Sequence, residues 1–116
     1  MSNADLIKEI TTAFSNNRAD QAVIDKNFAP GFRFWSNGKQ GDLAGYRDAL
    51  AEYQKNYDRF TISRWDELFE AHDKVVAAYR LDGAKKSGGN DSMNVMAVWQ
   101  VKDGKVASLR QVLAKP

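Results

Sequence analysis

The apolar residues change their period once along this chain, near Tyr57, and that change limits the folds open to it. Before it the spacing is helical. Leu6, Ile7, Ile10, Ala13 and Phe14 share one helical face, and "SNNRAD" breaks the run. A second helix, over about residues 19–28, carries Ala22, Val23, Ile24 and Phe28 and is ended by Pro30-Gly31. A third runs from Asp42 to about Tyr57, with Leu43, Tyr46, Ala49, Leu50 and Tyr53 as its apolar stripe. Between the second and third, "FRFW" reads as a short strand and "SNGK" as a hairpin turn, because Asn37-Gly38 tolerates positive φ.

After Tyr57 the pattern is that of strands. "RFTISRWDELFEA" is one long strand whose apolar residues break strict alternation, so it is expected to be bulged. "HDK" is a turn. "VVAAYRLD", "SMNVMAVWQV" and "VASLRQVLA" follow as strands, joined by the loop "GAKKSGGND" and the tight turn "KDGK". Helix, helix, short hairpin, helix and strand meander predict an α+β fold. Its three N-terminal helices pack on one face of a curved antiparallel sheet.

At 116 residues the chain is expected to be a single domain, 1–116. A domain of this length buries roughly 65% of the surface its unfolded chain exposes, enough for a core with a pocket in it. The absence of cysteine removes disulfides, iron–sulfur clusters and thiolate zinc sites, and permits the cytoplasmic setting expected here. Residues 1–10 lack an apolar h-region and read as a helix start capped by Ser2. No apolar run approaches the ~20 residues of a membrane span, so no membrane partner is expected. The formal charge is +2 with acids and bases interspersed, which is a poor footprint for nucleic acid.

Few residues point to chemistry. The one histidine, His72, falls in a predicted turn, and no carboxylate cluster has calcium-loop spacing, so neither a metal nor another cofactor is expected. "GAKKSGG" lacks the Gly-Lys-Ser/Thr ending of a phosphate loop and joins two strands, so it reads as a hairpin loop. No nucleophile-elbow motif is present.

The aromatics say more. Trp35, Trp65 and Trp99, with Tyr46, Tyr53 and Tyr79, are spread over several elements. Such a set builds a core, and around a few polar groups it also lines a small-molecule pocket. If Trp99 points inward, alternation sends Met93, Val95, Ala97 and Val101 with it. On the last strand Leu109, Gln111 and Leu113 share a face, which leaves Gln111 polar in an apolar row. It serves either a ligand or the backbone and water. We take Trp35, Trp65, Tyr79, Trp99 and Gln111 as the candidate ligand-binding residues. On the other face Met96, Val98 and Val112 suggest a partner surface and hence a homodimer through the outer face of the sheet.

The succession of helices, with "NFAPGFRFW" closing the second and "VWQVKDGKVASLRQV" ending the strands, resembles the SnoaL-like branch of the nuclear-transport-factor-2-like superfamily. The resemblance covers about Asp5 to Ala114. It implies a cone-shaped half-barrel with a pocket between helices and sheet, usually in dimers. Members include isomerases, cyclases, dehydratases, epoxide hydrolases and binding modules, so fold alone does not assign function. Matched to the ketosteroid isomerase branch, this chain has Ser36, Ile10 and Ala97 where the base and oxyanion donors belong, and none can do those jobs. The cyclase branch relies on pocket Asp and His, which the lone His72 does not supply. The epoxide hydrolase branch uses Arg-x-Asp on a strand, matched by Arg80 and Asp82, and a second Asp, replaced here by Gln111. Arg80 and Asp82 are therefore the candidate catalytic residues of a cofactor-independent lyase, isomerase or hydrolase. Alternation argues against them, because Val75, Ala77, Tyr79 and Leu81 claim the inward face. The reading that follows is a binding protein for a small hydrophobic molecule. Such an enzyme and a protein-interaction module are the alternatives.

Overall fold

The computed structural model describes residues 2–15 and 21–116. Helix α1 spans Asn3–Ser15, α2 Gln21–Asn27 and α3 Leu43–Asn56. The strands are β1 (Phe28–Ser36), β2 (Lys39–Asp42), β3 (Tyr57–Ala71), β4 (Lys74–Lys85), β5 (Asn90–Lys102) and β6 (Lys105–Ala114). The "SNNRAD" break and the first residues of the expected second helix lie outside the described residues, apart from Ser15.

Local chemistry explains the helix ends. The Ser2 hydroxyl accepts a hydrogen bond from the Asp5 amide at 3.1 Å and so caps α1. Asp42 caps α3, its carboxylate accepting from the Gly45 amide at 3.0 Å. The apolar stripes face the sheet. Ile7 and Ile10 of α1, Ile24 of α2 and Tyr46 of α3 are all buried. Tyr46 is the hub of the aromatic core, with ring centroids of Phe14, Phe28, Phe32 and Phe34 between 5.1 and 6.3 Å away.

The six strands form one open sheet in the order β2-β1-β6-β5-β4-β3. The α+β class and the helices on one face are as expected, and the sheet is curved and unclosed. Three features differ from the sequence reading, two of them at β1. The sheet is not wholly antiparallel, because β1 runs parallel to β6. Phe28 also belongs to β1 rather than to the second helix. Proline disfavours the helical region for the residue before it, so Ala29 is extended and the helix stops at Asn27. The extra residues are absorbed by a wide bulge, in which five residue steps of β1 span two of β6. That bulge lets both Phe28 and Phe32 reach the core.

Strand β4 alternates as read, with Val75, Ala77 and Tyr79 buried, and β5 does the same with Val95, Ala97, Trp99 and Val101. Strand β3 shifts register against β4 at three places, so Phe60, Ile62, Trp65 and Leu68 face the core at uneven spacing. The β4–β5 connection is shorter than expected, since both strands continue to Lys85 and from Asn90. The β1–β2 and β5–β6 turns carry two positive φ angles each, 49° and 88° at Asn37-Gly38 and 52° and 74° at Asp103-Gly104. That is the backbone of the tight hairpin loop whose twist matches the strands.

Candidate functional site

The inner face of the sheet and the underside of the helices leave a space between them. Its walls follow from the two periodicities. Helix α3 sends Tyr46, Leu50 and Tyr53 inward at helical spacing, and α1 contributes Thr11 and Phe14. The strands supply Phe60 and Ile62, Tyr79 and Leu81, Met93 and Trp99, and Gln111 and Leu113. The volume of this space is about 100 Å³. Tyr46, Leu50, Tyr53, Gln111 and Leu113 also border a wider funnel of about 1180 Å³, which reaches solvent between the β1–β2 hairpin, α3 and the β4–β5 hairpin.

The inner cavity has no Asp, Glu, His, Lys or Arg in its wall. Its ionisable groups are phenols. Burial pushes the Tyr46 and Tyr79 hydroxyls well above the ordinary tyrosine range, so both stay neutral. Thr11 is occupied at home, its hydroxyl donating to the carbonyls of Ile7 and Lys8. Trp99 is different. It is 1% exposed, and its indole Nε1–H has no acceptor among the described residues. A buried donor left unpaired costs about 1–3 kcal/mol, and native structures keep few of them.

Gln111 stands where cavity and funnel meet. Its Nε2 donates to Ser36 Oγ at 3.3 Å. Ser36 and Gln111, the positions that the sequence resemblance matched to carboxylates of two other branches, are thus a hydroxyl and an amide in contact with each other. Neither is a base near neutral pH, so the pair can orient a ligand but not remove a proton from it.

The candidate residues separate into three groups. Tyr79, Trp99 and Gln111 come together in the cavity wall. Trp65 does not reach it. Its ring packs on Tyr79, its cross-strand partner, at 5.0 Å between centroids, beside the wall rather than in it. Trp35 is on the opposite face of the sheet, beside Met96, Val98 and Val112, with the Arg110 guanidinium over its ring at 5.6 Å. At this end of β1 the inward residues are Phe34, which packs on Tyr46, and Ser36. This corrects the assignment of Trp35 to the pocket.

Arg80 and Asp82 are likewise turned away from the cavity. They alternate with the buried Tyr79 and the cavity-lining Leu81, and they pair with each other at 3.4 Å. The Ser92 hydroxyl donates to Asp82 Oδ1 at 2.6 Å. That bond, then Ser63, then Arg80, holds the Asp82 carboxyl below the usual carboxylate range. The proposed Arg-x-Asp machinery is therefore a surface ion pair on the outer face, because β4 keeps its apolar row inside. His72 is exposed in the β3–β4 turn at a φ of 59°. Among the described residues no group of three or more side chains could hold a metal ion, and no helix is long and apolar enough to cross a membrane.

Tyr46, Leu50 and Tyr53 were legible as an apolar stripe but not as cavity wall. Their i, i+4, i+7 spacing was the available signal.

Comparison with known proteins agrees with this architecture. An NTF2-like protein from Anabaena variabilis superposes with a TM-score of 0.83 at 16% identity, over 100% of this chain and 94% of its own. IdmH from Streptomyces antibioticus, a proposed polyketide cyclase, gives 0.83 at 15% identity over 97% and 92%. AclR from Streptomyces galilaeus, a proposed hydroxylase, gives 0.82 at 17% identity over 95% and 73%. At these identities the likeness is one of fold. No curated protein matches the sequence. The profile of the SnoaL-like domain, however, matches residues 7–109, which takes in the helices and most of the sheet and ends just before the cavity residues Gln111 and Leu113. With the bulged β1, the helices over an open sheet and the cavity between them, this chain belongs to the SnoaL-like domain family.

Proposed function

We propose that this protein binds a small, mainly apolar molecule bearing a neutral acceptor oxygen such as a carbonyl. One observation carries the reading: the cavity is lined by apolar and aromatic side chains, and one of them, Trp99, holds a buried N–H with no acceptor. The neutral Tyr46 and Tyr79 hydroxyls and Gln111 are donors in the same wall, and a ligand oxygen that reached the Trp99 N–H, by a small shift of the wall, would satisfy it too. Such a site holds and orients its ligand. Acid–base turnover by Arg80 and Asp82 gains no support from their place on the outer face. One structural neighbour is a proposed polyketide cyclase, and a ketone is the ligand class we propose here. The setting we propose is cytoplasmic, and the apolar outer face, with Met96, Val98 and Val112, is proposed to meet a second copy of the chain.

The test compares 1-tetralone with tetralin, which share a ring system and differ by the carbonyl. Calorimetric titration of the wild type should give tighter binding of the ketone. Trp99→Phe keeps a ring in place and removes the donor, so it should cost about tenfold in ketone affinity and leave tetralin unchanged. Equal affinities in wild type and variant, or ketone binding insensitive to both Trp99→Phe and Gln111→Ala, would refute the reading.

A further inference from the structure

The funnel outside the cavity has a different chemistry from the cavity itself. Its charged lining residues are Lys39, Glu52, Lys55, Lys85, Lys86 and Asp91. Two of the cations are answered locally. Lys85 lies 3.3 Å from Asp91, and Lys55 lies 3.7 Å from Glu52. Asp91 is further engaged by the Tyr57 hydroxyl at 2.7 Å. Lys39, on β2, and Lys86, in the β4–β5 turn, have no acidic partner among the described residues. Both border the same opening, on opposite hairpins, and the acids of the funnel are already used.

We propose, resting on the binding function above, that the ligand is a small organic anion. Its apolar body enters the cavity, and its carboxylate, sulfonate or phosphate stays in the funnel between Lys39 and Lys86. The division of labour follows from dielectric. An anion inside the cavity would be stripped of water with no cation to face, whereas in the funnel it keeps its hydration and meets uncompensated positive charge. The two lysines thus set orientation, because only one end of an amphipathic ligand suits each compartment.

A simpler role for part of this charge is to complement the C-terminus of α3, where the Lys86 amide donates to the Asn56 carbonyl at 3.0 Å. The experiment separates the two. The probes are 1-anilinonaphthalene-8-sulfonate and its uncharged parent N-phenyl-1-naphthylamine, followed by fluorescence at low and at moderate salt. The sulfonate should bind more tightly to the wild type. The double variant Lys39→Gln with Lys86→Gln should weaken it about threefold to tenfold and leave the neutral probe unchanged. The advantage should also shrink as salt is raised. A control pair, Lys74→Gln with Lys102→Gln at the far end of the sheet, should change neither. Equal binding of both probes, with only a lower melting temperature in the double variant, would overturn the anion proposal and leave the cavity reading standing. A loss of sulfonate binding matched by the control pair would overturn it too. Failure of both probes to bind would count against the open cavity, and with it against both proposals.

Discussion

The Asn37 carboxamide pairs with both backbone groups of Leu113, donating from Nδ2 to the carbonyl at 2.9 Å and accepting at Oδ1 from the amide at 2.9 Å. A side chain in the β1–β2 turn thereby continues the ladder along the end of β6, where the Asn37 amide also donates to the Gln111 carbonyl. Leu113 and Gln111 are both cavity wall, so the turn chemistry holds part of the site.

Asn37→Ala should therefore destabilise the fold by about 2 kcal/mol, from two lost hydrogen bonds and a left-handed backbone that suits alanine poorly. Asn37→Gly loses the same bonds without the backbone strain and should cost about 1 kcal/mol less. Hydrogen exchange at the Leu113 amide should accelerate in both variants. Unchanged exchange there would remove the proposed link between turn and site.

Gly83 faces the rings of Phe60 and Tyr57 so closely that an added Cβ would lie 2.9 Å from each. Gly83→Ala should cost about 1–3 kcal/mol in chemical denaturation, since these rings pack on each other at 4.6 Å and have to move. Phe60 is cavity wall, so ligand affinity should fall as well. A variant of wild-type stability would mean that the rings give way freely.

Met96 is 67% exposed and Val112 49%, in the middle strands of the outer face. If a second copy covers them, Met96→Lys with Val112→Lys should convert a dimer into a folded monomer in sedimentation velocity at micromolar concentration. A wild type that already sediments as a monomer there rules out this interface.

Tyr57 and Asp91 form a titrating pair across β3 and β5. The hydrogen bond to Asp91, then burial, pushes the Tyr57 phenol up to about 12 from an ordinary 10. The neutral phenol is favoured in the folded state, so its contribution is complete below pH 10 and is lost as pH rises toward 12. The same bond, with Lys85, holds Asp91 below the usual carboxylate range. That contribution is present above the unfolded carboxylate value near pH 4 and is lost as pH falls below it. Tyr57→Phe should flatten both limbs of the stability–pH profile relative to wild type, measured by denaturation at each pH.

The architecture was legible because its signals are local. Helical stripes and the clean alternation of β4 and β5 need no knowledge of neighbours, and they place Tyr79 and Trp99 correctly on the inner face. What failed to show depends on register. Trp65 sits on a strand whose three shifts against β4 defeat any parity argument. Trp35 was assigned to the pocket for its size and its place beside a turn. The contrary signal was Arg33 two residues earlier, which shares its face and is exposed. The parallel pairing of β1 with β6 left no local trace at all, since it joins segments separated by most of the chain.

That pairing also orders events in time. β1 pairs with its sequence neighbour β2 on one edge, but its other edge has no partner until β6 has been synthesised. Joining distant segments is entropically slow, so the β1–β6 pairing is expected among the later contacts to form. The cavity is therefore completed by the last strand to arrive, and a nascent chain halted before residue 105 would carry the aromatic core without the wall that closes it.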